Sequence, residues 1–171
     1  ALAGVMIPIL APILGALADA YGPRKPGLIW FSVAAIPAMI ALWFVTPGAV
    51  ALGFAAIVIA AITMECASLY HNAMLTSVAS ERNVGFVSGL AYSFDYIGSV
   101  SVFLLWLTLP ALGILTLFDG PFAHERLAGP LAVLWLLLFS IPLVLFTPDV
   151  PRTGLSIAGA IRKGLSQLWY T

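Results

Sequence analysis

Charge is what this sequence has least of. Of 171 residues only 8% are Asp, Glu, Lys or Arg, against 62% hydrophobic, and the mean hydropathy is +1.09. Soluble domains are about half apolar and a quarter charged, so this scarcity excludes one. Seven basic and seven acidic residues cancel, which removes the basic footprint of a nucleic-acid binder and any acidic tail. No nucleic-acid partner is expected. Cysteine is nearly absent too. Cys66 cannot close a disulfide within the chain and has no Cys or His at metal-ligand spacing, so it reads as a small helix-packing residue. Enzyme motifs are also lacking: there is no G-x-S-x-G, no H-E-x-x-H and no P-loop, and Glu65 and His71 are not at i, i+4. Neither metal nor cofactor is expected. Ala1 opens in mid-hydrophobic stretch with no initiator methionine, basic n-region or cleavage-site pattern, so the start is not read as a signal peptide. The chain is expected to be part of a longer one, because it also stops at Thr171 inside an apparent helix.

What the sequence does have is long apolar runs. A bilayer core about 30 Å thick needs about 20 apolar residues per helix, and lipid forces every backbone amide to be satisfied within its segment. Five spans are predicted: the start to Ala18, Leu28 to Phe44, Val50 to Thr76, Val84 to Leu109 and Pro130 to Phe146. The breaks between them hold Gly22, Pro23 and Pro26, then Pro47-Gly48, the polar Ser80 to Asn83, Asp119-Gly120-Pro121, and Pro148 to Pro151. Threading five helices alternately puts Arg24, Lys25, Arg82, Arg152, Arg162 and Lys163 on one side and Arg126 alone on the other. By the positive-inside rule the first group is cytoplasmic. Two regions result, 1–147 spanning the membrane and 148–171 a cytoplasmic linker. In that linker Ile157, Ile161, Leu165, Leu168 and Trp169 recur at helical spacing, with Arg162, Lys163 and Gln167 on other faces, an amphipathic pattern suited to a membrane surface or to packing on another domain.

Ionisable residues inside a bilayer cost about 2.5–3.5 kcal/mol each on insertion scales, which makes them functional candidates. Glu65 and Asp95 are the two here. Each lies about 11 or 12 residues from the cytoplasmic end of its helix, so both sit near mid-membrane at about 1.5 Å per residue. Each also belongs to a polar stripe. Glu65, Ser68, Asn72 and Thr76 follow i, i+3, i+7, i+11, while Ser88, Tyr92, Asp95 and Ser99 follow i, i+4, i+7, i+11. Such stripes suit water or substrate. Gly85, Gly89 and Ser93 occupy another face, where small residues favour close helix packing. The Leu28 to Phe44 and Pro130 to Phe146 spans carry no ionisable residue and read as lipid-facing. His71 reads as solvated near the cytoplasmic interface, and His124, Glu125 and Arg126 as exposed in an outer loop. Trp30, Trp43, Trp106 and Trp135 read as interface-belt or lipid-facing residues.

The stretch Gly15-Ala16-Leu17-Ala18-Asp19-Ala20-Tyr21-Gly22-Pro23-Arg24-Lys25 resembles the signature loop between helices two and three of the major facilitator superfamily, G-x-x-x-D-R/K-x-G-R-R/K. Gly15, Asp19, Gly22 and the basic pair match; Ala20 replaces a base and Pro23 displaces the first arginine. Gly15 would allow close helix contact, and Asp19 would pair with Arg24 or a neighbouring helix end. In that family the loop helps to lock one alternating-access state. Leu69-Tyr70-His71-Asn72-Ala73-Met74-Leu75 and the stretch from Val87 to Gly98 are similar to the F-Y-N-A-x-L-P and V-S-G-x-G-W-A-L-G-Y-x-G segments of the vacuole effluxer-like (Atg22-like) group. The tail from Ala160 to Trp169 resembles the linker after helix six there. Thr76 stands where proline is usual, His71 is inserted, and Asp95 replaces a glycine.

The resemblance implies an all-α polytopic bundle, helices two to six of a twelve-helix carrier, with the missing helices, the lipid bilayer and a small-molecule substrate as partners; the two carboxylates add protons as an expected partner. It implies a bacterial inner membrane and, from a fungal vacuolar relative, amino acids as substrate. Gly15, Asp19, Gly22, Arg24 and Lys25 would gate; Glu65, Ser68, Asn72, Tyr92 and Asp95 would line the path. Asp95 or Glu65 would hold a cationic group or a proton, or else be a protonated, hydrogen-bonded structural carboxyl. The rival reading from another class is an intramembrane protease using Glu65 and Asp95 as a carboxylate pair.

Overall fold

Lipid leaves helices as the only open-ended way to satisfy the backbone, and the computed structural model, which describes residues 12–18, 20–113, 122–151 and 159, holds helices and turns throughout those residues. Residues 12–18 are helical, here α1, as are 20 and 21. Then come α2 (Lys25–Ala41) with a 3₁₀ turn (Leu42–Phe44), α3 (Val50–Ala73), a short α4 (Leu75–Val78), α5 (Val84–Thr108) and α6 (Ala123–Phe146). Among the described residues four helices are long and apolar enough to cross a membrane: Lys25–Phe44, Val50–Ala73, Val84–Thr108 and Ala123–Phe146. The predicted first span falls mostly on undescribed residues, as does the amphipathic tail.

The turns follow from their residues. Gly22 takes φ +100° after α1 and returns its N–H to the Ala18 carbonyl at 3.0 Å, a left-handed helix stop that a side chain would resist. Pro26 then sits in the first turn of α2, where its missing N–H costs nothing. At the other end of α2, Pro47 and Gly48 (φ +98°) form a turn closed by the Ala49 N–H on the Thr46 carbonyl at 2.9 Å.

Three predicted boundaries move, the first being the start of α2, which lies at Lys25 and not at Leu28. The third span was expected to run to Thr76, but α3 ends at Ala73, where the Met74 N–H is shared between the Tyr70 and His71 carbonyls and α4 restarts the chain. The last span was expected to begin at Pro130, yet α6 begins seven residues earlier and carries Pro130 and Pro142 inside. The expected start fell where the polar stretch His124 to Arg126 gives way to apolar residues. In a membrane bundle an interior proline is tolerated, and 123–129 is helical around side chains that find partners on neighbouring helices.

The helices run up and down, so Lys25, Ala73, Val84 and Phe146 lie at one end, here the basic end. α2 packs principally on α3 and then on α6, whereas α5 touches α6 and α4 only sparsely. At the basic end Ala18, Leu28, Ala67, Tyr70 and Met74 form a buried cluster flanked by Leu14, Phe31, Leu143 and Val144. The Tyr70 ring stacks on Phe31 at 5.9 Å and covers Gly27, where a Cβ would run into it. Gly129 lies against the Met39 carbonyl in the same way. These glycines let the backbones of α2, α3 and α6 approach. α2 thus buries Leu28, Ser32, Ala35 and Ala38 on one face and exposes Ile29, Trp30 and Val33 on the other, so its lipid-facing reading describes one side of it.

Candidate functional site

Two polar regions stand out in this apolar bundle, and both lie toward the basic end. The first is the loop into α2. The first N–H groups of a helix have no partner within it and carry partial positive charge. Here Arg24, the N-cap, makes no side-chain cap. Instead Asp149 reaches from the chain after α6: the Arg24 N–H donates to Asp149 Oδ1 at 2.9 Å and the Lys25 N–H to Oδ2 at 3.1 Å. The Asp149 carboxylate also takes the Val150 N–H at 2.8 Å. Lys25 completes the tie from its own side, its Nζ donating to the Val144 carbonyl at 2.7 Å. The loop predicted to gate is therefore clasped to the end of α6, across 124 residues of sequence.

Of the predicted gating residues, Arg24 and Lys25 sit in this clasp, and Gly22 makes the turn that leads into it. Asp19 lies outside the described residues. Gly15 is exposed, with no described atom within 4 Å of where its Cβ would be, so the close contact expected there is not made by the described residues. Asp149 was missed. Its only sequence signal is an acid boxed between Pro148 and Pro151 just past a span.

The second region is a cavity of about 490 Å³ between α3 and α5. Glu65, Ser68, His71 and Asn72 line it from α3; Ser88, Tyr92 and Asp95 line it from α5; Leu143 and Thr147 close the side toward α6. All five residues predicted for the path share this space. Ser99, one turn beyond Asp95, does not line it, and the Thr76 side chain lies outside the described residues. Glu65 and Asp95 are exposed to the cavity rather than buried in apolar packing. His71, read as solvated, is exposed and lines the cavity as well. The hydroxyls of Ser93 and Ser101 do not turn inward: they donate to the Gly89 and Ile97 carbonyls of their own helix at 2.9 and 2.6 Å. No described atom lies within 4 Å of a Cβ at Gly85 or Gly89, so that face is not the close-packed one.

At the end opposite the basic residues, the loop reading of His124 and Arg126 is corrected. Both lie in the first turn of α6 and are half-buried. The Arg126 guanidinium sits 5.0 Å over the Trp43 ring and its Nε donates to the Trp43 carbonyl. His124 stacks on Trp106. Trp43 and Trp106 are therefore side-chain partners and not only belt residues, a pairing across 83 and 18 residues that no local signal gives.

No family model matches the chain. No solved structure matches it either. It is similar to a protein of Bacillus subtilis (strain 168) named as the uncharacterized MFS-type transporter YxiO, with 26% identity over 145 residues, 84% of this chain. The chain spans 34% of that relative's length. Four helices of membrane-crossing length, together with that similarity, make this chain a multi-pass integral membrane protein.

Proposed function

We propose that the chain forms helices two to six of a major facilitator carrier that moves a small solute by alternating access around the cavity between α3 and α5. The observation that carries this reading is the convergence of two polar stripes: Glu65, Ser68 and Asn72 from one helix share a cavity with Tyr92 and Asp95 from the other. Polar groups at that depth are costly, and they persist where they meet water or solute. The similarity to the Bacillus subtilis transporter supports the superfamily. Amino acids are the substrate that the resemblance to the vacuole effluxer-like group suggests.

In this reading Asp95 and Glu65 hold a cationic group of the solute or a proton and release it as access changes. Gly15, Asp19, Gly22, Arg24 and Lys25 form a gate, and the Asp149 clasp supports that role because it ties the loop to α6 in a bond that can be made in one state and broken in another. Further helices of the carrier meet α5 across its polar face, and lipid covers the outer faces of α2 and α6. The basic end faces the cytoplasm of a bacterial inner membrane; Arg126, the one base at the far end, is taken up by Trp43 and does not oppose that orientation. The test is Asp95→Asn in the complete protein, reconstituted in proteoliposomes and offered a panel of radiolabelled amino acids. Uptake and its pH dependence are expected to be lost. Uptake and pH dependence both intact would make Asp95 structural and remove the cavity from the transport path.

A further inference from the structure

A second hollow, of about 300 Å³, lies between α2 and α6. Its shape follows from contacts at its two ends. Away from the basic residues the helices cross closely, because Gly129 of α6 has no side chain and lies against the Met39 carbonyl and Leu42 of α2. Toward the basic end larger side chains hold the helices apart until Lys25 Nζ reaches the Val144 carbonyl at 2.7 Å and Asp149 takes the Arg24 and Lys25 N–H groups. Leu28 and Ser32 from α2 and Ser140 and Val144 from α6, all buried or half-buried, form the floor between these ties. Val33 and Ile141, both exposed, stand on the rims. The result is a slot tied at both ends and open along its length.

Leu28 to Ile36 is about 12 Å of helix at about 1.5 Å per residue, less than half of a hydrocarbon core about 30 Å thick, so the slot stays within one leaflet. Apart from Ser32 and Ser140 its described walls are leucine, isoleucine and valine. A helix about 10 Å across can lie over a gap between two helices joined at both its ends, but it cannot fill it. A single hydrocarbon chain can.

Charge points to the head that such a chain carries. Lys25 stands at the mouth, in the first turn of α2 and three residues before Leu28, where the membrane-crossing helix begins. Its ammonium has three N–H groups. The Val144 carbonyl takes one of them and brings no opposing charge. The Asp149 oxygens are turned to the backbone N–H groups of Arg24, Lys25 and Val150. Arg24, next in sequence, adds a second cation at the same level. Trp30 lies five residues into α2, 71% exposed, on the side of Val33 three residues on. An exposed tryptophan at that depth suits the boundary between headgroups and hydrocarbon. Basic residues over a gap between membrane helices are the setting in which anionic headgroups are held.

We propose that the slot between α2 and α6 is a binding site for an anionic phospholipid, with one acyl chain lying between Leu28 and Val144 and the phosphate on the Lys25 ammonium. The phosphate uses the N–H groups that the Val144 carbonyl leaves, so the lipid adds a bridge between α2 and α6 beside the existing ties. The site does not depend on what the polar cavity carries, because it lies on another face of α6: Leu143 lines the cavity and Val144 the slot.

Two measurements on the complete protein test the site. In native mass spectrometry from detergent, the protein is titrated with phosphatidylglycerol or with zwitterionic phosphatidylcholine, and it is expected to retain one phosphatidylglycerol in preference to phosphatidylcholine. Lys25→Gln is expected to weaken phosphatidylglycerol about fivefold, the effect of one cation at an anionic surface, and Lys25→Arg to restore it. Val33→Trp, which fills the slot from its exposed rim, is expected to weaken both lipids and serves if Lys25→Gln does not accumulate. Equal retention of the two lipids by the parent, or phosphatidylglycerol binding unmoved by Lys25→Gln or by Val33→Trp, would overturn the site. The second measurement places benzoylphenylalanine at Ile141 and illuminates the protein in nanodiscs of equal parts phosphatidylglycerol and phosphatidylcholine. An adduct enriched in phosphatidylglycerol is expected. Equal adducts of the two lipids would mean ordinary bilayer contact, and capture of another segment of the same chain or of a second copy would mean that protein covers the slot; either result ends the proposal.

Discussion

α3 and α5 are nearly equal in length, at 24 and 25 residues, and each carries one polar stripe, yet α3 buries five residues and α5 none. Both also hold small residues of the kind that let membrane helices approach. The difference lies in what stands opposite. On α3, Gly53, Ala56, Cys66, Ala67 and Tyr70 are buried, and α3 packs on α2 along its length. On α5, Gly85 and Gly89 have no described atom in reach. Hydropathy places a helix in the membrane, but only a partner surface decides which of its faces is packed. Lipid tails are as apolar as a leucine core, so no hydrophobic gain draws α5 onto its neighbours. The polar cavity is the consequence: the stripes of α3 and α5 face a gap that close packing would have sealed.

The largest test of this contrast compares aromatics. In lipid the transfer gain is lost and the cavity term remains, so Tyr70→Ala, which removes roughly 100 Å³ at roughly 24 cal/mol per Å³, is expected to cost about 2 kcal/mol. Tyr70 is 7% exposed and spans Gly27 and Phe31; Phe94 on α5 is 63% exposed. Phe94→Ala is therefore expected to cost less than about 0.5 kcal/mol, as surface changes do. Thermal unfolding of the complete protein in one detergent reads both. Equal losses would mean that α5 is packed in the whole molecule and would end the contrast.

A smaller effect tests how the packed half is tied at its basic end. Asp149→Asn removes the charge facing the start of α2 and leaves one oxygen for the three N–H groups of Arg24, Lys25 and Val150. The expected loss is about 1 kcal/mol, the usual worth of a helix cap. Melting curves at low and high salt separate its parts, because the charge contribution is the more sensitive to ionic strength. A variant as stable as the parent would show that the Asp149 clasp carries no stabilisation, which leaves α6 held on α2 by the Lys25 bond to the Val144 carbonyl, by Arg126 on Trp43 and by packing at Gly129.

What the residues disclose in advance and what they conceal divides along the same line. The spans were legible because lipid imposes length and apolarity on each segment separately. The stripes were legible because helical period is local, and the cavity gathers Glu65, Ser68, Asn72, Tyr92 and Asp95 as that period placed them. Contacts between helices were not. Gly85 and Gly89 looked like packing glycines and Gly27 and Gly129 did not, since nothing near a glycine says whether a backbone or empty space will meet it. Asp149 was hidden for the same reason: its partners are the Arg24 and Lys25 amides, and a loop acid between prolines gives no hint of a helix start 124 residues away. The α6 boundary was misplaced because His124, Glu125 and Arg126 read as an outer loop, and the partners His124 and Arg126 find at Trp106 and Trp43 lie on other helices.

Gly89→Ala gives the smallest effect, and its sign matters more than its size. A mid-helix glycine weakens a helix by about 0.5–1 kcal/mol relative to alanine, through the backbone freedom it loses on folding. Whether the exchange realises that gain depends on space at the new methyl. At Gly89 no described atom lies within 4 Å of it, and Tyr96, on the same side of α5, is 71% exposed. The polar residues Ser88, Tyr92 and Asp95, across which further helices of a carrier would meet α5, line the cavity on a different side. Gly89→Ala is therefore expected to raise the melting temperature of the complete protein slightly. A fall instead of a rise would mean that a helix closes on this face after all, in which case α5 is packed in the complete protein on the side away from the cavity and its contrast with α3 narrows.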